Sequence, residues 1–490
     1  MSVSTAETAA SGAKWTVAAM IARQVGRLGF VVVLARMLGP TEFAVAAAAT
    51  IYITFTAVLL ETGLASGIVQ KDVLRKQDEG ATFWTMTGIA VLLSGLTVLL
   101  AVPVSDFLGI ERLAPVLAVL AIGPLLKGFT VVASARLQRE LRFRVLGLGE
   151  VVAVLMGAGL GIAAAMMGAS YWALVVQQVA TDLIVLAIWL VAAGLSSFRA
   201  DREGFRHVWR FGVPVMVSQG IGYATRSADN VIISRFLGET ALSFYMVPYR
   251  IMLVPVGVLG TVANRVAFPI ISRIQDDKAR IASIYLAMTR LIAAIAVPAM
   301  VAAAVLAPEL IETVFGPEWL PAVPVLIALA ATGIFDSLTT IGGSVFMGLG
   351  RADMTFRWSW IPMVVTLPAF FAGLPWGVVG VAAAYSLATM VLVPFRIMDM
   401  GRVTGFTLVD WLRALWPPTA ATAIAAAAGW LAAFGVRQAG LPVPLGLVAG
   451  SVVIGAGYLL VLRLISAAAF TEIMTAGRLL ARGKLAGVSE

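Results

Sequence analysis

The sequence predicts an all-α integral membrane protein of about fourteen transmembrane helices, arranged as two six-helix repeats with two further helices after them. Three observations carry that prediction. Of 490 residues, 60% are hydrophobic and 12% charged, with a mean hydropathy of +0.96, which is more apolar than a soluble domain uses. Apolar runs of about 20 residues, the length that crosses a bilayer as a helix, recur along the whole chain. Finally, Arg27 to Thr41 reads Arg, eight residues, Arg-x-Leu-Gly-x-Thr, and Arg226 to Thr240 reads the same 199 positions later.

Residues 1–12 are polar, hold no Lys or Arg and offer no small-residue cleavage site, so a short cytoplasmic tail is expected there and not a signal peptide. Runs at 13–37, 42–67, 81–104, 113–135, 145–167 and 171–194 make an N-terminal lobe over 13–200. Runs at 208–234, 241–267, 282–306, 319–347, 354–374 and 377–398 make a C-terminal lobe over 201–400. Two more, at 409–434 and 441–464, occupy 401–466. In the tail at 467–490, Phe470, Ile473, Met474 and Leu480 share a helical face, which predicts an amphipathic helix on the anionic cytoplasmic leaflet.

The duplication extends past its opening motif. Gly109-x-Glu111-x-Leu113 returns as Gly316-x-Glu318-x-Leu320, and Phe143-Arg144 as Phe356-Arg357, in the same order with an offset drifting from 199 to 213. Six helices per copy, an even number, give both halves one orientation about an axis along the membrane normal.

Basic residues set the direction. With Lys14 on the cytoplasmic side, most loop arginines and lysines fall on that side, whereas the opposite loops hold only Arg36, Arg112, Arg235 and Arg437. By the positive-inside rule both termini are cytoplasmic. Arg437, read as an exposed loop residue, is expected to tolerate replacement by Ala. The net charge of +9 then follows from topology, and no nucleic-acid partner is required. With no cysteine and a single histidine, His207, among interfacial arginines, no metal, haem or iron–sulfur site and no cofactor is expected. Neither Asn230 nor Asn264 heads a glycosylation motif.

Chemistry must come from polar groups within the spans. A charge in hydrocarbon costs roughly 2.5 to 3.5 kcal/mol on insertion scales and is kept chiefly where it functions. Arg23 and Arg27 share a helix face at a spacing of four, as Arg226 and Asp229 do at three. With Arg250, bracketed by Pro248 and Pro255, these five are the expected substrate-binding group of a central anion cavity. Lys127, Asp182, Arg290 and Asp336 are further candidates for the cavity or for ion coupling. The competing reading makes each arginine a structural tie to a buried carboxylate, but bases within the spans outnumber acids. Arginine suits a pyrophosphate because its planar fork bonds two oxygens and stays charged. Gly157-Ala-Gly159-Leu-Gly161 resembles part of a dinucleotide loop, yet it lies inside a span with no strand before it. It is read as a small-xxx-small packing face of Gly157 and Gly161.

Trp15, Leu34-Ala-Arg-Met-Leu-Gly-Pro-Thr-Glu-Phe43, Glu61-Thr-Gly-Leu-Ala-Ser-Gly-Ile-Val-Gln70 and Tyr171-Trp-Ala-Leu-Val-Val-Gln-Gln178 resemble the polysaccharide-transport, Wzx-type exporters. Asp229-Asn-Val-Ile-Ile-Ser-Arg-Phe-Leu-Gly238, Tyr245, Tyr249-Arg250 and Phe268-Pro-Ile-Ile-Ser-Arg273 continue the likeness, which is more specific over 12–275 than beyond. It departs at Ala44-Val45, where a glycine is common after the position of Phe43. The resemblance implies the multidrug/oligosaccharidyl-lipid/polysaccharide exporter fold, a V of two six-helix lobes around a cavity. It also implies a flippase in the bacterial inner or plasma membrane that moves undecaprenyl-pyrophosphate-linked glycans to the outer leaflet. Its expected partners are that lipid-linked glycan, membrane lipids, and a polysaccharide polymerase and glycosyltransferases; it is not an enzyme. Two rivals stand beside this reading. A multidrug-type antiporter on the same fold should line its site with carboxylates, and a membrane-embedded glycan polymerase or glycosyltransferase should show a large external loop or an acidic catalytic motif.

Overall fold

The computed structural model describes residues 3–62, 75–194, 198–467, 469–471 and 474–475. Among them every regular element is helical, and eleven helices are long and apolar enough to cross a membrane. The expected surface helix near 470–485 lies largely outside the described residues, as do the side chains of Lys14, Glu61, His207 and Arg265. The chain divides into two compact units, Met1–Ser243 and Phe244–Glu490.

The first unit contains α1 (Val3–Thr62), α2 (Lys76–Leu108), α3 (Leu113–Leu120), α4 (Ile122–Arg139), α5 (Phe143–Met166), α6 (Trp172–Ala193), α7 (Arg202–Arg226) and α8 (Ala228–Leu237). Within α1 the first two expected spans meet at Gly39, whose φ of 68° and ψ of 175° leave the helix. That left-handed φ is open to glycine, and Pro40 beyond it has no N–H to donate to the preceding turn. The repeated motif breaks in the same way, since Gly238 has φ 89° and ψ 173°. Gly109 and Gly316, matched by the duplication, also share a positive φ, 71° and 108°.

The expected span at 208–234 is the pair α7 and α8, interrupted at Ser227 (φ −103°, ψ 8°). Charged residues cluster at its two ends, Arg202, Glu203, Arg206 and Arg210 at the start and Arg226, Asp229 and Arg235 at the close. Ser234 donates to the Leu108 carbonyl at 2.9 Å, and the Arg235 guanidinium lies 5.8 Å from the Phe107 ring, so α8 is held on the end of α2.

Large apolar side chains face outward, among them Leu99 at 74% and Val191 at 89% exposed, as lipid solvent allows and water does not. Inside, Leu60, Phe83, Met86, Val131 and Val132 form a core between α1, α2 and α4. The α5–α6 contact runs along the glycines read as a packing face. A Cβ on Gly157 would collide with Thr181 Oγ1 and stand 2.9 Å from the Gln177 carbonyl; one on Gly161 would lie 2.7 Å from Gln177 Cβ. The dinucleotide-loop likeness of this segment is therefore accidental.

Arginines that orient the chain in sequence also tie down the α6–α7 connection. Arg136 makes two parallel bonds of 2.8 Å to the buried Glu79 carboxylate and donates to the Ala193 carbonyl at 3.2 Å. Arg142 donates to Ala192 at 2.8 Å, and Trp84 Nε1 to Phe198 at 3.0 Å. Arg75 bonds Asp78 at 3.0 Å and Glu203 at 2.9 Å, and those carboxylates hold its guanidinium pKa above the ordinary arginine range.

In the second unit, the remainder of α9 (Glu239–Ile271) precedes α10 (Lys278–Val305), α11 (Ala307–Val314), α12 (Val323–Thr339), α13 (Gly342–Gly348), α14 (Ala352–Gly373), α15 (Gly377–Thr404), α16 (Leu408–Gln438) and α17 (Val443–Ile465). A 3-10 turn at Leu374–Trp376 separates α14 from α15. Its core centres on Tyr285, Phe346, Trp358, Ile397, Met400, Phe406 and Trp411, with Tyr285 and Phe406 stacked at 5.2 Å. Thr407 and Asp410 form a capping box that starts α16, which satisfies N–H groups the first turn leaves free. Tyr458 on α17 donates to the Ala294 carbonyl of α10 at 2.9 Å.

One expectation about the loops is revised. Arg437 is not a free loop residue: it pairs with Glu309, whose carboxylate is only 8% exposed. It sits in the last turn of α16, where a cation also favours the helix dipole. Removing it would strand a buried carboxylate, so the substitution expected to be silent is a destabilising one.

Candidate functional site

A cavity of about 540 Å³ opens within the first unit, lined by α1, α4, α5 and α6. It brings together four of the sequence-predicted site residues, Arg23, Arg27, Lys127 and Asp182. The four-residue spacing of Arg23 and Arg27 puts both on the α1 face toward α5. Gly26 between them is close-packed on the same side, with Val154 and Leu155 at 3.3 Å from where its Cβ would stand.

The cavity's cations are not equivalent. Arg23 pairs with Glu150, while Lys127 Nζ lies 3.7 Å from Asp182 Oδ1. Gln178 Nε2 donates to the other Asp182 oxygen at 2.9 Å, which fixes that carboxylate. Arg27 has no ion pair or hydrogen bond among the described residues. Three cations thus face two carboxylates, and the excess charge belongs to Arg27. Thr130, Ser134 and Thr181 turn their hydroxyl hydrogens onto carbonyls of their own helices at 2.9, 2.9 and 2.7 Å, so toward the cavity they offer lone pairs.

The other sequence-predicted residues lie elsewhere. Arg226 ends α7, exposed and outside the cavity lining. Asp229 is 1% exposed in the first turn of α8; its Oδ1 accepts from the backbone N–H of Asn230 at 2.8 Å and from Asn230 Nδ2 at 3.0 Å. That is a helix-start role, favoured by the positive end of the dipole. Arg250, Arg290 and Asp336 belong to the second unit, each half-buried.

The sequence reading passed over several groups. Glu150 is a carboxylate inside a span, yet only the structure shows that it neutralises Arg23 and not Arg27. Gln138, Gln177 and Gln178 line the cavity, but uncharged amides carry no alarm in a hydropathy scan. In the second unit Arg396, expected at a cytoplasmic helix end, lies inside α15 because that helix runs on to Thr404. Its guanidinium is 5.9 Å from the Trp358 ring.

The sequence model of the family described as "Polysaccharide biosynthesis protein" matches residues 33–324. The chain belongs to that family. Its resemblance to the Wzx-type exporters is borne out by relatives along most of its length. The teichuronic acid biosynthesis protein TuaB of Bacillus subtilis (strain 168) is 27% identical over 385 residues, 78% of this chain and 80% of the relative. The lipopolysaccharide biosynthesis protein WzxC of Escherichia coli (strain K12) is 24% identical over 420 residues, 83% and 84% of the two chains. Among solved structures, the lipid II flippase MurJ in an inward closed conformation superposes with a TM-score of 0.75 at 14% identity. It covers 92% of this family member and 98% of MurJ. At that identity the likeness shows the fold alone, that of an all-helical, multi-pass membrane protein.

Proposed function

We propose that this protein is a flippase that carries an undecaprenyl-pyrophosphate-linked oligosaccharide or polysaccharide precursor to the outer leaflet by alternating access. The observation that carries the reading is the cavity whose one un-neutralised charge, among the described residues, is the Arg27 guanidinium. A guanidinium there bonds phosphate oxygens through its planar fork, and low local dielectric strengthens the attraction. The relatives are named for teichuronic acid and lipopolysaccharide biosynthesis and the structural neighbour for lipid II flipping, which agrees with it. The head group would sit in protein while the prenyl tail stays in lipid, and rocking of the repeats would move it across. No covalent step is needed, so no catalytic group is assigned.

Several finer parts belong to the same proposal. Breaking α1 at Gly39, counting α14 and α15 apart and adding the α7–α8 pair makes fourteen crossings, in two six-helix repeats plus α16 and α17. Both termini are placed in the cytoplasm, in the bacterial inner or plasma membrane. Arg226, Asp229 and Arg250 are retained as candidates for substrate contact at another stage of the cycle, with Arg290 and Asp336 as candidates for ion coupling. A polymerase and glycosyltransferases are the expected assembly partners.

The multidrug alternative is disfavoured by the sign of the cavity, since a cationic drug would meet Arg27. A polymerase or transferase is disfavoured by the short connections between helices. Purified protein in liposomes should move undecaprenyl-pyrophosphate-linked sugar between leaflets, read by oxidation with impermeant periodate. Export of a lipophilic cation without movement of the glycolipid would overturn the reading.

Orientation is tested separately in this cysteine-free chain. Single cysteines at Met167, Pro317 and Ala439, all exposed, should react with an impermeant thiol reagent from outside intact cells, and those at Gln77, Ala200 and Asp277 should not. Ser105, on the same outer side in sequence, is unsuitable because it is 1% exposed and donates to the Ile110 carbonyl. Labelling of the second set would reverse the direction of transport.

A further inference from the structure

The polar groups around the first-unit cavity divide into those that satisfy one another and those left over. Arg23 is matched by Glu150, Lys127 by Asp182, and Gln177 Nε2 by Thr181 Oγ1 at 3.2 Å. Among the described residues, the atoms left over include the Arg27 guanidinium, the whole side-chain amide of Gln138, the amide oxygens of Gln177 and Gln178, whose nitrogens are engaged by Thr181 and Asp182, and Trp189 Nε1. Trp189 Nε1 is sealed in the protein interior, whereas the Arg27, Gln138 and Gln178 atoms are not, so these three side chains are open to whatever fills the cavity.

Arg27 and the two glutamines call for different chemistry. Ionised phosphate oxygens are acceptors only, and they suit a guanidinium. The Gln178 amide oxygen is itself an acceptor, so a phosphate placed against it would set lone pair against lone pair. It requires a donor. Gln138 offers both a donor pair and an acceptor, with no charge. Groups that donate and accept without charge are hydroxyl and acetamido groups, the surface chemistry of a sugar ring. The volume of about 540 Å³ is within the range of small-molecule sites, about 300 to 1,000 Å³, and larger than a phosphate group needs.

We infer that Gln138 and Gln178 form a sugar subsite, reading hydroxyl groups on the ring nearest the pyrophosphate while Arg27 holds the phosphate. This rests on the flippase reading and deepens it: the glycan end of the carrier, and not the phosphate alone, selects the cargo in this cavity. Discrimination by polar pairing is strong because the wrong ligand leaves amides unpaired in a low-dielectric site.

The test uses purified full-length protein and two probes, undecaprenyl pyrophosphate and undecaprenyl pyrophosphate carrying one glucose. The wild type should bind the glucosylated probe more tightly. Gln138→Met, close in shape but without the amide, should reduce that preference roughly three- to tenfold while leaving the bare probe unchanged. Gln178→Met should act in the same direction, but it also removes a bond to Asp182, so Gln138→Met decides. Should the Met variant lose its fold, Gln138→Asn, which keeps the amide but shortens its reach, replaces it and should lose preference in the same way. Arg27→Ala should weaken both probes in equal proportion and keep the preference. Equal loss for both probes in Gln138→Met, or no loss for either, overturns the sugar subsite. Unchanged binding of both probes by Arg27→Ala overturns the phosphate reading instead, and the two failures are distinguishable.

Discussion

Arg27→Ala is expected to abolish export and to weaken binding of undecaprenyl pyrophosphate by about ten- to a hundredfold, the range for losing hydrogen bonds to a charged group. The protein should stay folded and inserted, because among the described residues Arg27 makes no ion pair whose partner would be stranded. Arg27→Lys should recover part of the affinity, since an ammonium keeps the charge but loses the two-pronged geometry. Arg23 provides the contrast. Its removal leaves Glu150 uncompensated beside the cavity, so Arg23→Ala should lower thermal stability as well as affinity. Lipid-binding titrations and thermal melts on the two variants separate these outcomes. If Arg27→Ala bound the carrier as tightly as wild type, the anion-cavity mechanism would be wrong.

That contrast marks how far the sequence could be read. Fold class was legible because lipid imposes it: long apolar runs can satisfy their backbone in a bilayer only as helices. The duplicated motif was legible too, and Gly39 and Gly238 show why it persists, since both copies end a helix with the same left-handed φ. Helix ends were harder to place. The stop expected near Met398 put Arg396 at a helix end, whereas α15 runs on to Thr404 and is capped by Gly405 in the left-handed region.

The site was legible as a list of charges and not as a set of partners. Arg23 and Arg27 are alike in sequence, and only tertiary structure sets Glu150 against the first. The same limit explains Arg437, which pairs with Glu309 from 128 positions away. Pairing across such separations leaves no local pattern to read. The Arg226 copy of the motif is the converse case. It repeats the letters of Arg27 but stands on a helix that lines no part of the first-unit cavity, so a duplicated residue need not be a duplicated role.

The glycines behind the cavity should show the largest structural effect, and neighbouring positions provide the control. Gly157→Ala places a methyl group against Thr181 Oγ1 and the Gln177 carbonyl, and both of those residues line the cavity. Thr181 cannot swing away cheaply, because its hydroxyl is bonded to the Gln177 carbonyl at 2.7 Å and receives the Gln177 amide. Overpacking of this kind costs about 1 to 3 kcal/mol. The α5–α6 contact should open, lowering the melting temperature and moving Gln177, Gln178 and Asp182 together, with loss of carrier binding. Gly159→Ala, two residues away, meets nothing within 4 Å on the exposed face of α5. It should stabilise the protein by about 0.5 to 1 kcal/mol through lower backbone entropy of the unfolded chain. Melting curves of the two variants in one detergent decide the matter. Equal shifts would mean that helix propensity, and not the close approach of α5 to α6, governs this segment.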